Sequence, residues 1–197
     1  MNKIIVVLVS LIFFIGCSKS NEQEKIELNK MLNTVLKYES ERYGFSKNHK
    51  FLINGELRKL KIYIPGRKEI LGEEPGPPSS LNKNIIRLLD LNENEFKSRK
   101  SDSLNLLKQN AYIFDSLYVD PKINLNIAVA GKEEVYRRKK LYQFSNPVYF
   151  NENFAYIETS YYESVFGIGF GYLLEKQKNG DWKIKKIINT FITYIVN

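Results

Sequence analysis

The chain has 197 residues, of which 43% are hydrophobic and 13% aromatic, and a formal net charge of +8. That apolar content can bury a core, which excludes a wholly disordered chain, and the length suits one domain. One cysteine and one histidine exclude an internal disulfide and the common thiolate or imidazole metal sites, so no cofactor or metal is expected.

Met1, Asn2 and Lys3 make a short positive start, and Ile4 to Ile15 is apolar except for Ser10. This is the plan of a signal peptide. A spanning helix would need roughly 20 apolar residues, and polar Ser18 to Asn21 end the run early. Phe14-Ile15-Gly16-Cys17 resembles the lipobox of bacterial lipoproteins, in which a small residue precedes a cysteine that is lipidated before cleavage. The resemblance implies a cleaved signal peptide at 1–16, lipid attachment at Cys17 and a tether at 17–21. Several acyl chains, such as palmitate, would anchor the protein stably. The expected location is the bacterial cell envelope, at the outer membrane, with the leaflet left open.

Removing the first 16 of 197 residues leaves 181, and losing Lys3 lowers the charge from +8 to +7. Lysine outnumbers arginine 23 to 7, a bias that AT-rich coding produces without selection for an anionic partner. The expected partners are therefore the membrane, through the anchor, and an envelope protein or glycan rather than nucleic acid. Arg137-Arg138-Lys139-Lys140 reads as a solvated edge.

In chain order, Ser20 and Gln23 fit a capping box, and Leu28, Met31, Leu32, Val35 and Leu36 share one helical face, predicting a helix over about 22–43. Phe51-Leu52-Ile53, the Asn54-Gly55 pair and alternating Leu60, Ile62 and Ile64 predict a β-hairpin. Pro75, Pro77, Pro78 and three glycines predict an exposed loop without helix or ladder over 66–80. Leu81 to Leu89 and Leu104 to Ala111 suggest two short helices, and Ile123 to Val129 alternates as a strand. Strand-like runs follow at about 141–150, 154–162, 168–176 and 182–196, with turns at Asn151-Glu152-Asn153 and Asn179-Gly180. The whole reads as an α+β domain over 22–197, with N-terminal and middle helices packed on a mainly C-terminal antiparallel sheet.

The motifs of the last sixty residues are Phe144-Ser145-Asn146-Pro147-Val148-Tyr149-Phe150, Tyr161-Tyr162, Gly169 and Gly171 before Leu173-Leu174-Glu175-Lys176, and Asn179-Gly180-Asp181-Trp182-Lys183-Ile184. They resemble a group of exported lipoproteins of Bacteroidota-like bacteria without an assigned activity. Some relatives carry a cysteine after the paired tyrosines, where this chain has Glu163 to Gly167. The closing strand is also similar to cone-shaped folds of the nuclear transport factor 2 type, the alternative architecture.

Catalytic constellations are sparse. His49, the lone histidine, lies in a polar stretch and reads as a surface residue. Glu158, Glu163 and Glu175 lie near predicted strands, but the odd spacing of the first two points them to opposite faces. Gly167, Gly169 and Gly171 enter a strand rather than a helix, so they mark a bulge or close packing instead of a phosphate loop. Tyr156, Tyr161, Tyr162, Tyr172 and Tyr194 suit either sheet packing or an aromatic platform, and Tyr161, Tyr162 and Glu163 are the candidate ligand contacts. The reading is a non-catalytic envelope lipoprotein that binds a protein or glycan. The alternatives are a carboxylate-dependent hydrolase of envelope polysaccharide and a structural or immunity-type lipoprotein.

Overall fold

The computed structural model describes residues 23–42, 51–63, 67–76, 106–109, 127–130, 140–163 and 166–194. The predicted signal peptide, Cys17, His49 and the predicted helix at 81–89 lie outside them. Residues 23–42 form helix α1. Its predicted stripe, Leu28, Met31, Leu32, Val35 and Leu36, is buried against the sheet. Burying five such side chains contributes roughly 10 kcal/mol, which is what holds a helix of this length in place.

The fold is α+β. Among the described residues its seven strands are β1 (Phe51–Asn54), β2 (Ile127–Ala130), β3 (Lys140–Phe144), β4 (Val148–Tyr149), β5 (Phe154–Glu163), β6 (Phe166–Lys176) and β7 (Trp182–Tyr194). The order in the sheet is β2-β1-β3-β5-β6-β7, with β4 also paired to β5. The β5-β6-β7 meander is antiparallel as the alternation predicts, and Gly180, at φ 82°, turns β6 into β7. On one face, Tyr142, Phe144, Ile157, Phe170, Tyr172 and Leu174 meet α1. On the other, Tyr156, Val148, Phe150 and Leu173 pack with Leu60, Ile62 and Leu106.

Three expectations are corrected. The sheet is mixed, because β1 runs parallel to both β2 and β3. The predicted hairpin at 51–64 does not form. Gly55 is not one of the positive-φ glycines, and Asn54 Oδ1 instead accepts from Glu56 N (3.0 Å) in a local bend. The chain then continues beside β3, where Arg58 N donates to Phe144 O (2.8 Å) and bridges in parallel to Ser145. The alternation of Leu60 and Ile62 is real, but it records burial in the second core rather than a return strand. Finally, the 66–80 stretch holds a one-turn helix, α2 (Arg67–Ile70), although 71–76 is exposed as expected. The prolines follow that turn, where they do not interrupt its hydrogen bonds.

Of the second predicted middle helix only 106–109 is described, and it is helical. In β2, Ile127 and Ala130 are buried while Val129 is largely exposed, so the alternation does not carry through at this edge strand. Leu32→Ala would leave a void against the sheet and is expected to cost about 2–5 kcal/mol in a denaturant titration, with the midpoint lowered and the slope unchanged.

Candidate functional site

The outer neighbour of β5 is interrupted. Pro147 has no N–H to give to a ladder, and β3 ends at Phe144 while β4 begins at Val148. Side chains complete the missing bonds. Ser145 N donates to Glu158 O (2.8 Å) and Ser145 Oγ accepts from Glu158 N (2.8 Å). Asn146 Oδ1 accepts from Leu60 N (2.6 Å), and Asn146 N donates to Arg58 O (2.9 Å).

Glu158 is fully buried at this break. Arg58 Nη2 reaches Glu158 Oε2 at 2.6 Å, and the Tyr156 hydroxyl donates to Glu158 Oε1 at 2.9 Å. Burial and the Glu158 carboxylate push the Tyr156 phenol far above its ordinary pKa, since its ionisation would set two anions together. Gly171 faces Glu158 across the β5-β6 ladder, and a Cβ there would strike the Tyr156 ring, so glycine makes room for the phenol. The Arg58 side chain is 34% exposed, and it brings a compensating charge in from the surface.

A cleft of about 880 Å³ lies beside this cluster, between the first turns of α1 and the 106–109 segment. Asn146, Pro147 and Tyr149 form one wall, and Glu27, Lys176 and Trp182 form another. Glu27 Oε2 accepts from both Trp182 Nε1 and Lys176 Nζ, each at 3.0 Å, and the Lys176 ammonium stands 5.6 Å from the centre of the Trp182 ring. Gln109 clamps Tyr149 through two bonds, donating to its O (2.6 Å) and accepting from its N (2.8 Å). Glu24, Glu152 and Lys108 add charge of both signs. These bonds fix the rotamers of the polar lining groups, so a mainly apolar cleft holds a few ordered polar groups.

Of the residues singled out from sequence, Tyr161 and Tyr162 lie on opposite faces of the sheet. Tyr161 lies on the α1 side next to Tyr142, with ring centres 6.4 Å apart. Tyr162 projects from the opposite face, 49% exposed and stacked on Phe191 at 5.8 Å. Glu163 ends β5, paired with Lys140 and Phe166. Tyr156 and Tyr172 are core residues, so the five tyrosines do not form one platform. Gly169 does sit at a register shift against β7, as a bulge-forming glycine should. Among the described residues, no group of three or more His, Cys, Asp or Glu side chains could hold a metal ion.

Sequence reasoning missed Glu39. It stands four residues after Val35 and seven after Leu32, on the buried stripe, and a carboxylate at that spacing was the available signal. The side chain is fully buried and neither oxygen completes a hydrogen bond. The Tyr142 hydroxyl approaches without full hydrogen-bond geometry. Desolvation pushes the Glu39 carboxyl up from 4.5 to about 7, against the opposing pull of Tyr142 and Arg42. Comparison with protein families, curated proteins and solved structures finds no match to this chain.

Two outcomes follow from these buried groups. Arg58→Ala leaves Glu158 buried without its cation and is expected to destabilise by roughly 3 kcal/mol, whereas adding Glu158→Leu recovers much of that loss; paired denaturation curves check it. For Glu39, the folded chain keeps a proton that the unfolded chain releases between 4.5 and about 7. The contribution of Glu39 to stability is therefore greatest below 4.5, falls as pH rises through that window and levels off above about 7. Between about pH 4 and pH 8 the stability of Glu39→Gln relative to wild type should rise by roughly 3 kcal/mol, measured by urea unfolding at each pH.

Proposed function

We propose that the chain is the precursor of a bacterial envelope lipoprotein, cut before Cys17 and lipidated there, that holds a protein or glycan partner in the cleft without converting it. The observation that carries this reading is the cleft itself. It is large enough for a ligand of several hundred daltons, its mainly apolar lining carries both charge signs, and its polar groups are braced by the Glu27–Trp182–Lys176 and Gln109–Tyr149 bonds. Gln23, at its rim, is six residues from Cys17, a reach of at most about 20 Å. A lipidated Cys17 would thus hold the cleft close to the membrane surface. Among the described residues no helix is long and apolar enough to cross a membrane.

A carboxylate-dependent hydrolase of envelope polysaccharide is the second reading, favoured by Glu24, Glu27 and Glu152 in one cleft. Glu158, by contrast, is sealed in its ion pair and out of reach of a substrate.

Metabolic labelling with a fatty acid is expected to tag the wild type and to fail for Cys17→Ala; an untagged wild type overturns the lipoprotein assignment. Glu152→Lys alters the cleft charge at an exposed position. It is expected to weaken retention of envelope glycan fragments or peptides by roughly tenfold in titration calorimetry. Unchanged affinity would remove the cleft from the binding reading, and shortened glycan products lost in Glu152→Gln would favour the hydrolase.

A further inference from the structure

We propose that Glu39 is a pH-sensitive latch that sets how firmly α1 is docked on the sheet and, through α1, the geometry of the cleft wall at the other end of the helix. The latch stands on placement. Glu39 is fully buried on the sheet-facing stripe, and neither carboxyl oxygen completes a hydrogen bond. From α1 itself, Arg42 attracts it while lying 4.6 Å over the Phe170 ring, and Tyr38 stands edge-on to Tyr172 at 6.2 Å. Among the described side chains, β3 contributes Tyr142 as the titratable neighbour acting on it, and β6 contributes Phe170 and the buried Tyr172. Among the described residues of this contact, Glu39 is the one carboxyl, set between aromatic rings and the Arg42 cation.

A neutral carboxylic acid is tolerated between these rings, whereas a carboxylate must be hydrated or stripped of its surroundings. Ionisation therefore favours states in which this end of α1 moves away from β3 and β6. The helix is a stiff rod, and Glu27 lies twelve residues, about 18 Å, back along it. There α1 holds Trp182 and Lys176 through Glu27, so a helix that lifts at Glu39 shifts a wall of the cleft. The cleft is set below the transition and loosened above it, a transition expected near the raised value of about 7. Any effect on ligand binding rests on the cleft reading above, but the latch is observable without a ligand.

Trp182 is the only tryptophan in the chain and is bonded to α1 through Glu27, so its fluorescence reports docking directly. In the ligand-free full-length protein, raising pH from about 5.5 to about 8.5 should red-shift Trp182 emission and increase its quenching by acrylamide several-fold, with a midpoint near neutrality. Glu39→Gln should abolish the transition, and His49→Gln, which removes the lone histidine, should preserve it. As a second measurement on the wild type, amide exchange over residues 36–42, corrected for its intrinsic pH dependence, should quicken roughly tenfold above the transition. A flat wild-type response, or a transition that survives in Glu39→Gln, overturns the latch whatever the cleft binds.

Discussion

A proline in the middle of a sheet imposes the constraint on which this structure turns. Pro147 cannot donate to β5, and the strand beside β5 is divided into β3 and β4 around it. An unrepaired break would leave buried backbone groups unpaired, each costing about 1–3 kcal/mol. Ser145 and Asn146 prevent that by lending side-chain oxygens where carbonyls are missing, to Glu158 N on one side and Leu60 N on the other. The second of these bonds explains why the segment after Gly55 runs alongside β3 and β4. It is held there by Asn146 and by the bridge at Arg58. That placement delivers Arg58 to Glu158, which would otherwise be an unneutralised charge in the interior.

The same break shapes the cleft. Asn146 and Pro147 belong both to the repaired strand and to the cleft wall, and Tyr149 follows immediately in β4. Rigidity in the polar cluster is therefore shared with the cleft wall. The opposite wall depends on α1, whose Glu27 joins Trp182 and Lys176 from β7 and β6. One wall is built into the sheet and the other is carried by a docked helix, so the two differ in how readily they can move.

Along α1 the apolar stripe and Glu39 act against each other. Leu28 to Leu36 bury a continuous face, while one turn further on the same face brings a carboxyl into the interior. The burial term is the larger, so the helix stays docked, but the carboxyl makes the last part of the contact dependent on protonation. Arg42 over Phe170 and Tyr38 against Tyr172 add modest attraction at that end without supplying Glu39 with a full hydrogen bond.

Periodicity alone was enough for α1 and for the β5-β6-β7 meander, because a stripe at helical spacing and alternation in strands follow from the geometry of a single element. The turns at Asn151-Glu152-Asn153 and Asn179-Gly180 were legible for a similar reason: Asn151 Oδ1 accepts from Asn153 N and Phe154 N, and Gly180 supplies the left-handed φ. The Asn54-Gly55 pair misled because its outcome depends on which strand lies next to it, and here that neighbour is β3 rather than the following segment. The cleft and the Arg58–Glu158 pair, which joins positions one hundred residues apart, were equally beyond local reading. The sequence by itself determined α1, the β5-β6-β7 meander and the faces they bury. Only the tertiary structure decided strand direction, charge pairing and the site, because those depend on which distant backbone groups must be satisfied together.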